Sequence, residues 1–459
     1  MRDALSEWAC EHGLCVKGDS RGNLVLGKAA TPGYENRPGV VLQGHLDMVC
    51  QKLGDSAHDF GRDPIRPVLR DGWVTAIDTT LGADNGIGVA LALAALEADD
   101  LEHPALEVLL TVDEEEGMHG ALALERNTVQ GRLLMNLDTE EWGELYIGCA
   151  GSVNVIVDAP LPVQAAPTEM QAAVGLRLTG LIGGHSGIDI HRLRGNAIRL
   201  LAQFLHELDA KGFDFRLASM KGGTAHNAIP RETEAVLRVD DPAALLAEAE
   251  DFVTGLRSRL NEEESGVCID FEMVSTQGAG DVLPGEEARK VLSLLCDLPY
   301  GVRRMSEQMP GVVEISNNIG ELRLEEGRLH VNLMVRSLIE DGIHALSNEI
   351  VERFADSGFE DVHVIGAGPV WRPNPESKLL ALAKDVYRQT FEGEAAVRVI
   401  HAGLECGAFS GLWPDMDMIS FGPTIRSAHA PGERVEVASV ERAWRLLTGI
   451  LAAIPETGS

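Results

Sequence analysis

Four strand-like apolar runs in this chain each lead into a residue of metal-ligand type. Residues 40–43 run into Gly44-His45-Leu46-Asp47, and residues 106–112 into Asp113-Glu114-Glu115-Glu116-Gly117. Residues 133–137 run into Asp138, and 416–421 lead through Gly422-Pro423-Thr424 to His429. A further acid, Asp84, sits in Leu81-Gly82-Ala83-Asp84-Asn85-Gly86-Ile87-Gly88, ahead of an Ala/Leu-rich stretch. In open α/β sheets the ligand crevice lies outside the carboxyl ends of the strands. A His, Asp, Glu, Asp, His set delivered there has the composition of a two-metal hydrolytic centre.

Each residue also has a plainer meaning. His45 and Asp47 are two apart, so on an extended segment their side chains share a face. Asp47 is then placed to orient a metal-bound imidazole; a strand-end His beside a solvated Asp is the alternative. Glu114 and Glu115 are adjacent and cannot easily serve one atom. One can bind metal while the other takes a proton from water; an acidic run is otherwise a solvated turn. Asp84 precedes a helix and would serve as an N-cap. Its second oxygen leaves room for a bridging role between two cations. The Gly82–Gly88 segment lacks the spacing of a dinucleotide loop, and its acid would face a pyrophosphate.

Positioning these groups requires an α/β layout. Residues 1–160 alternate strand and helix patterns, with the clearest helix at 87–98 and buried-type strands at 40–44, 106–112 and 133–137. The proline-bearing segment 159–167 reads as a linker. After it the pattern becomes α+β: strands at 171–181, 234–239, 267–274, 312–317, 329–335 and 361–365, and helices at 196–210, 242–261, 286–296 and 343–357. This predicts an inserted domain, residues 161–369, with an antiparallel sheet. From 370 to 459 the α/β pattern returns. His429 lies there, while the other candidate ligands lie before residue 140. One metal centre needs both ends of the chain in one catalytic domain, so the middle must be an insertion.

At 459 residues the chain is long enough for two or three domains. Its formal charge of −32 repels nucleic acid and anionic membrane surfaces. No apolar run approaches the ~20 residues of a membrane span. The seven cysteines are scattered without a CxxC pair. That suits a reducing cytoplasm better than a disulfide scaffold. No signal-peptide pattern is visible at the N-terminus.

The motifs carry a family resemblance. Leu42-Gln43-Gly44-His45-Leu46-Asp47-Met48-Val49, Thr79-Thr80-Leu81-Gly82-Ala83-Asp84-Asn85-Gly86, the Glu114-Glu115 pair, Asp138 and Ile147-Gly148-Cys149-Ala150-Gly151 resemble the M20 metallopeptidases. So do His401-Ala402-Gly403-Leu404-Glu405-Cys406-Gly407, Gly422-Pro423-Thr424-Ile425-Arg426 and Ser427-Ala428-His429. Within that family the chain is similar to the Xaa-His dipeptidases, also called aminoacyl-histidine or cytosol non-specific dipeptidases. The resemblance covers nearly the whole chain; relative to the family pattern the first helical segment begins some residues late.

The resemblance implies a catalytic domain with a mixed, mostly parallel sheet flanked by helices, and an inserted lid and dimerisation domain. It implies two divalent cations, zinc first, with cobalt or manganese acceptable to carboxylate-rich ligation. His45, Asp84 and Asp138 would hold one, and Asp84, Glu115 and His429 the other, with Asp84 bridging. Glu114 would be the general base acting on a metal-bridged water, and Asp47 the orienter of His45. His185, in Gly183-Gly184-His185-Ser186-Gly187, matches a lid histidine that in relatives reaches a partner's active site to stabilise the oxyanion. Asn227, ahead of Ala228-Ile229-Pro230, matches a substrate-contacting turn. Glu405 is expected to line the pocket and meet a substrate ammonium. The implied activity is hydrolysis of unblocked L-dipeptides such as Xaa-His, carnosine-type or Cys-Gly substrates, by a cytoplasmic homodimer. Two rivals stand beside it: an N-acyl-amino-acid deacylase or desuccinylase on the same scaffold, and a non-catalytic binding protein that kept the fold.

Overall fold

The computed structural model describes residues 1–275 and 280–456. By internal contacts the chain forms two units. Met1–Cys149, Pro369–Ile400 and the chain from Leu404 onward make the first; Ala150–Gly368 with His401–Gly403 make the second.

The first unit is built on an eight-stranded sheet. Its order is Cys15–Gly18, Leu24–Lys28, Leu106–Thr111, Val40–His45, Leu133–Asn136, Asp417–Ser420, Glu144–Cys149 and Ala396–Ile400. The strands Leu106–Thr111, Val40–His45, Leu133–Asn136 and Asp417–Ser420 run parallel to one another. Val40, Val41, Leu42, Leu109 and Leu134 have no exposed surface. Burial on both faces is why these strands read as continuous apolar runs rather than alternating ones. The sheet is mixed and mostly parallel at its centre, as the motifs imply.

The helix Ala83–Glu97 begins four residues ahead of the expected start at Ile87. Gly86 and Gly88 look like breakers in the sequence, but packing overrides that propensity. A Cβ at Gly44 would stand 2.2 Å from Asn85 Oδ1, and one at Gly88 would stand 2.3 Å from the Leu137 carbonyl. The missing side chains let Asn85 wedge in, with its Nδ2 donating to the Leu137 carbonyl at 2.7 Å. Asp84 and Asn85 keep non-helical angles inside the first turn.

A small antiparallel sheet in the same unit was not legible in the sequence. It joins Ile425–Arg426, Arg434–Glu436, Trp73–Ala76 and Pro67–Arg70. Its strands have two to four residues, too few for a periodicity to emerge. Pairing of Ile425 with Val435 and Arg426 with Arg434 closes residues 427–433 into a loop.

The second unit holds a nine-stranded sheet in which every pairing is antiparallel. Its helices include Ala197–Ala210, capped by the Asn196 side chain on Arg199 N, and Pro242–Arg257, capped by Asp241 with proline at its first turn. The strand Gly151–Pro160 belongs to this sheet. The expected linker at 159–167 therefore starts inside a strand. Val153, Val155, Val157 and Ala159 are buried in strict alternation along it. The period-two signal was present, and the prolines at 160 and 162 masked its end.

Candidate metal centre

His45 closes its strand and is 1% exposed. Its Nε2 lies 3.2 Å from Asp84 Oδ1 and 3.3 Å from Asp138 Oδ1. On the far side of Asp84, His429 Nε2 lies 3.0 Å from Asp84 Oδ2 and 3.2 Å from Glu115 Oε2. One carboxylate thus faces two imidazoles, one through each oxygen. His45–Asp84–Asp138 and Asp84–Glu115–His429 each place three candidate ligand atoms within 4.8 Å of one another, and His45–Glu114–Glu115 forms a third such group. The two triads named from sequence are brought together in the first unit.

The loops that present these groups are strained where it matters. His429 has φ +64° and Asp113, just before the Glu114-Glu115 pair, has φ +55°. Non-glycine residues seldom adopt this region, and such angles concentrate at functional sites. Asp47 acts in a way the sequence did not foresee. Its Oδ2 accepts the Glu115 N–H at 3.0 Å. His45 Nδ1 lies nearer the Asp47 carbonyl, at 3.1 Å, than its carboxylate, at 3.6 Å. One residue therefore turns the His45 ring through its backbone and holds the Glu115 loop through its side chain.

The electrostatics are those of a cluster waiting for positive charge. Burial pulls the His45 imidazole down, but Asp138 and the hydrogen-bonding carboxylates outweigh it and push the ring far up. Hydrogen bonds to Asp84 and Glu115 raise His429 to about 10. Burial raises Asp138 to about 7 against the pull of His45. Burial, then Asp138, pushes Glu114 up to about 9. Protons bound this tightly occupy positions that a divalent cation would take with proton release. Glu115 Oε1 is buried with no hydrogen-bond partner, and Asp138 Oδ1 is buried with only the His45 ring near it, at 3.3 Å. Unsatisfied buried carboxylate oxygens are costly in a finished fold. The donor set, its spacing and these oxygens fit divalent cations.

Glu405 is placed differently from the expectation. It is fully buried. Its Oε2 accepts from Gln43 Nε2 at 2.5 Å and Thr111 Oγ1 at 2.8 Å. Burial raises it to about 7. It is enclosed with no exposed surface, so it supports the ends of two central strands instead of lining an open pocket.

In the second unit His185 and Asn227 meet across a two-stranded ladder. His185 pairs with Ala228, and Ser186 N donates to the Asn227 carbonyl at 2.8 Å. The Asn227 side chain is exposed. His185 Nδ1 accepts two backbone N–H groups, from Gly187 at 3.1 Å and Ile188 at 2.9 Å. The ring proton is therefore on Nε2. Burial and the neighbouring Arg336 lower this histidine to about 4, so it is neutral at pH 7.

Sequence reasoning missed Arg336. It is 5% exposed, its Nε has no hydrogen-bond partner, and no carboxylate pairs with it among the described residues. Burial lowers its guanidinium to about 10. A buried arginine without an anion is an unfinished ion pair. The available signal was an arginine closing the apolar run Leu333-Met334-Val335.

Residues 41–453 match Peptidase family M20/M25/M40. The chain belongs to this family. Among curated relatives, the cytosol non-specific dipeptidase of Escherichia coli (strain K12) is 41% identical over 457 residues, covering 99% of this chain and 93% of the relative. Among solved structures, the aminoacylhistidine dipeptidase of Vibrio alginolyticus superimposes with a TM-score of 0.89 at 40% identity, over 100% of this chain and 93% of that one. The aminopeptidase PepT of Bacillus cereus, at 15% identity and TM-score 0.56 over 98% of this chain and 92% of that one, shares the fold. Membership in a metallopeptidase family accounts for a donor set made of carboxylates and imidazoles. Among the described residues of this family member, no helix is long and apolar enough to cross a membrane.

Proposed function

We propose that this protein is a metal-dependent dipeptidase acting on unblocked L-dipeptides of the Xaa-His and Cys-Gly kind. The observation that carries the reading is the Asp84 carboxylate shared between two imidazoles, in a chain whose near relatives are named dipeptidases. His45, Asp84 and Asp138 would hold one cation, and Asp84, Glu115 and His429 a second, zinc before cobalt or manganese. When bound, the cations supply Lewis acidity and acidify water. Glu114 takes the proton of the attacking water and returns it to the leaving amine as the peptide C–N bond breaks. His185 Nε2–H donates to the carbonyl oxygen as that atom gains charge. A cytosolic location agrees with the name of the Escherichia coli relative.

A substrate panel tests this reading. Ala-His, Gly-His and Cys-Gly are expected to be cleaved and N-acetyl amino acids spared. Faster cleavage of N-acetyl amino acids would make the protein a deacylase instead.

In this reading, supported by the family resemblance, His185 would donate to the partner's site in a homodimer built through the inserted unit. Inactive His185→Ala chains mixed with inactive Glu114→Gln chains should then regain activity after subunit exchange. Each mixed dimer would contain one site with both groups intact. A mixture that exchanges subunits and stays inactive would place both groups within one chain.

A further inference from the structure

A buried carboxylate beside the centre has no part in the chemistry above. Glu433 is 2% exposed. Its Oε2 accepts N–H from Leu81 at 2.6 Å and Gly82 at 2.9 Å, and its Oε1 accepts from Ala83 at 2.7 Å and Asp84 at 3.2 Å. Four successive backbone donors end on one side chain from the other end of the sequence. Its own backbone is tied down as well: Thr75 Oγ1 donates to the Glu433 carbonyl at 2.8 Å, and Glu433 N donates to the Ala430 carbonyl at 3.0 Å.

Part of this is ordinary helix chemistry. The first N–H groups of a helix lack intrahelical partners and carry partial positive charge. The helix Ala83–Glu97 has Gly82 at its cap position, with no side-chain cap of its own. Any acceptor reaching that end would stabilise it. The location of Glu433 adds something a cap alone does not require. The last of the four donors is the N–H of Asp84, whose carboxylate faces both imidazoles. The Ala430–Glu433 turn directly follows His429. One carboxylate therefore joins the segment that carries Asp84 to the loop that carries His429.

We infer that Glu433 is a positioning residue for the metal centre: it pins the Leu81–Asp84 segment to the His429 loop and so sets the spacing of Asp84 and His429 for a divalent cation. The inference rests on the metal-centre reading proposed above. The chemistry demands a carboxylate. Four inward-pointing N–H groups need a group that only accepts, and a carboxylate offers two oxygens with about four lone pairs. Glutamine would turn an NH₂ toward two of the donors. Aspartate is one methylene short and cannot span all four.

The test measures metal affinity, not turnover. Wild type, Glu433→Gln and Glu433→Asp are stripped, then titrated with zinc against a chromophoric chelator. The melting temperature of each metal-free protein is recorded alongside. Partners of first-ligand groups are typically worth ~10- to 100-fold in metal affinity. A loss of that size is expected in Glu433→Gln, falling mainly on the more weakly bound of the two ions, with a smaller loss in Glu433→Asp. A purely structural cap would lower the metal-free melting temperature and leave the chelator midpoint unchanged; that result overturns the inference. If Glu433→Gln does not fold, Glu433→Asp decides by the same midpoint. Wild-type protein that binds no zinc would sink the metal-centre reading and this inference with it. Tight binding by wild type and both variants would sink the inference alone. Neither readout depends on which dipeptide is the substrate.

Discussion

Treatment with a strong chelator is expected to abolish dipeptide hydrolysis, and readdition of zinc, cobalt or manganese to restore it. The expected stoichiometry is about two ions per chain. The reason lies in the charge balance of the centre. Asp84, Glu114, Glu115 and Asp138 crowd around two imidazoles, and burial drives Glu114 and Asp138 toward their neutral forms. Without cations the cluster holds protons, and a protonated Glu114 cannot accept another. Cations would displace those protons and leave the carboxylates ionised. Metal removal therefore disarms the base as well as the electrophile, which is why a complete loss is expected. Full activity in protein shown by elemental analysis to be metal-free would refute this.

The second large effect concerns the adjacent glutamates. Glu114→Gln preserves shape and removes basicity, so turnover should fall by roughly 10²-fold or more while metal content stays near that of wild type. Glu115→Gln should behave differently. Glu115 Oε2 lies 3.2 Å from His429 Nε2, within the Asp84–Glu115–His429 group, so its loss should empty one metal position. Parallel measurement of kcat and bound metal separates the two. The reverse pattern would exchange the roles assigned to these neighbours.

The candidate ligands were legible because their placement follows a simple rule: parallel strands deliver their carboxyl ends to one rim. His45, Glu115 and Asp138 each lie at or just beyond the end of a strand of the central sheet, and uninterrupted apolar runs in the sequence mark those strands. Asp84 was legible as a residue but not as a conformation. Its helix starts early because Gly44 and Gly88 make room for Asn85, a fit between distant segments that no local pattern reports. Glu433 and Arg336 were invisible for opposite reasons. In Pro431-Gly432-Glu433-Arg434 an acid looks like part of a solvated turn, and only the fold shows four N–H groups converging on it. Arg336 closes an apolar strand, where a cation is taken for a surface residue until its burial and lack of a partner are known. Glu405 was visible as an acid in a family motif, but its enclosure against Gln43 and Thr111 depends on strands more than 290 residues away.

The motif His401-Ala402-Gly403-Leu404-Glu405 is divided at its middle: its first three residues belong to the second unit and the rest to the first. His401 is 7% exposed, its Nε2 lies 2.8 Å from Ser316 Oγ, and a Cβ at Gly187 would strike its carbonyl at 1.9 Å. The inserted unit is therefore not a cassette with two seams. A transplant of residues 150–368 into another member of the family would arrive with an empty imidazole-sized socket beside Ser316, and the host would have to supply the plug. Recombination that exchanges the second unit by two crossovers should succeed only between chains that already agree at three residues outside the exchanged block. That ties the inheritance of the second unit to a short stretch lying within the C-terminal part of the chain.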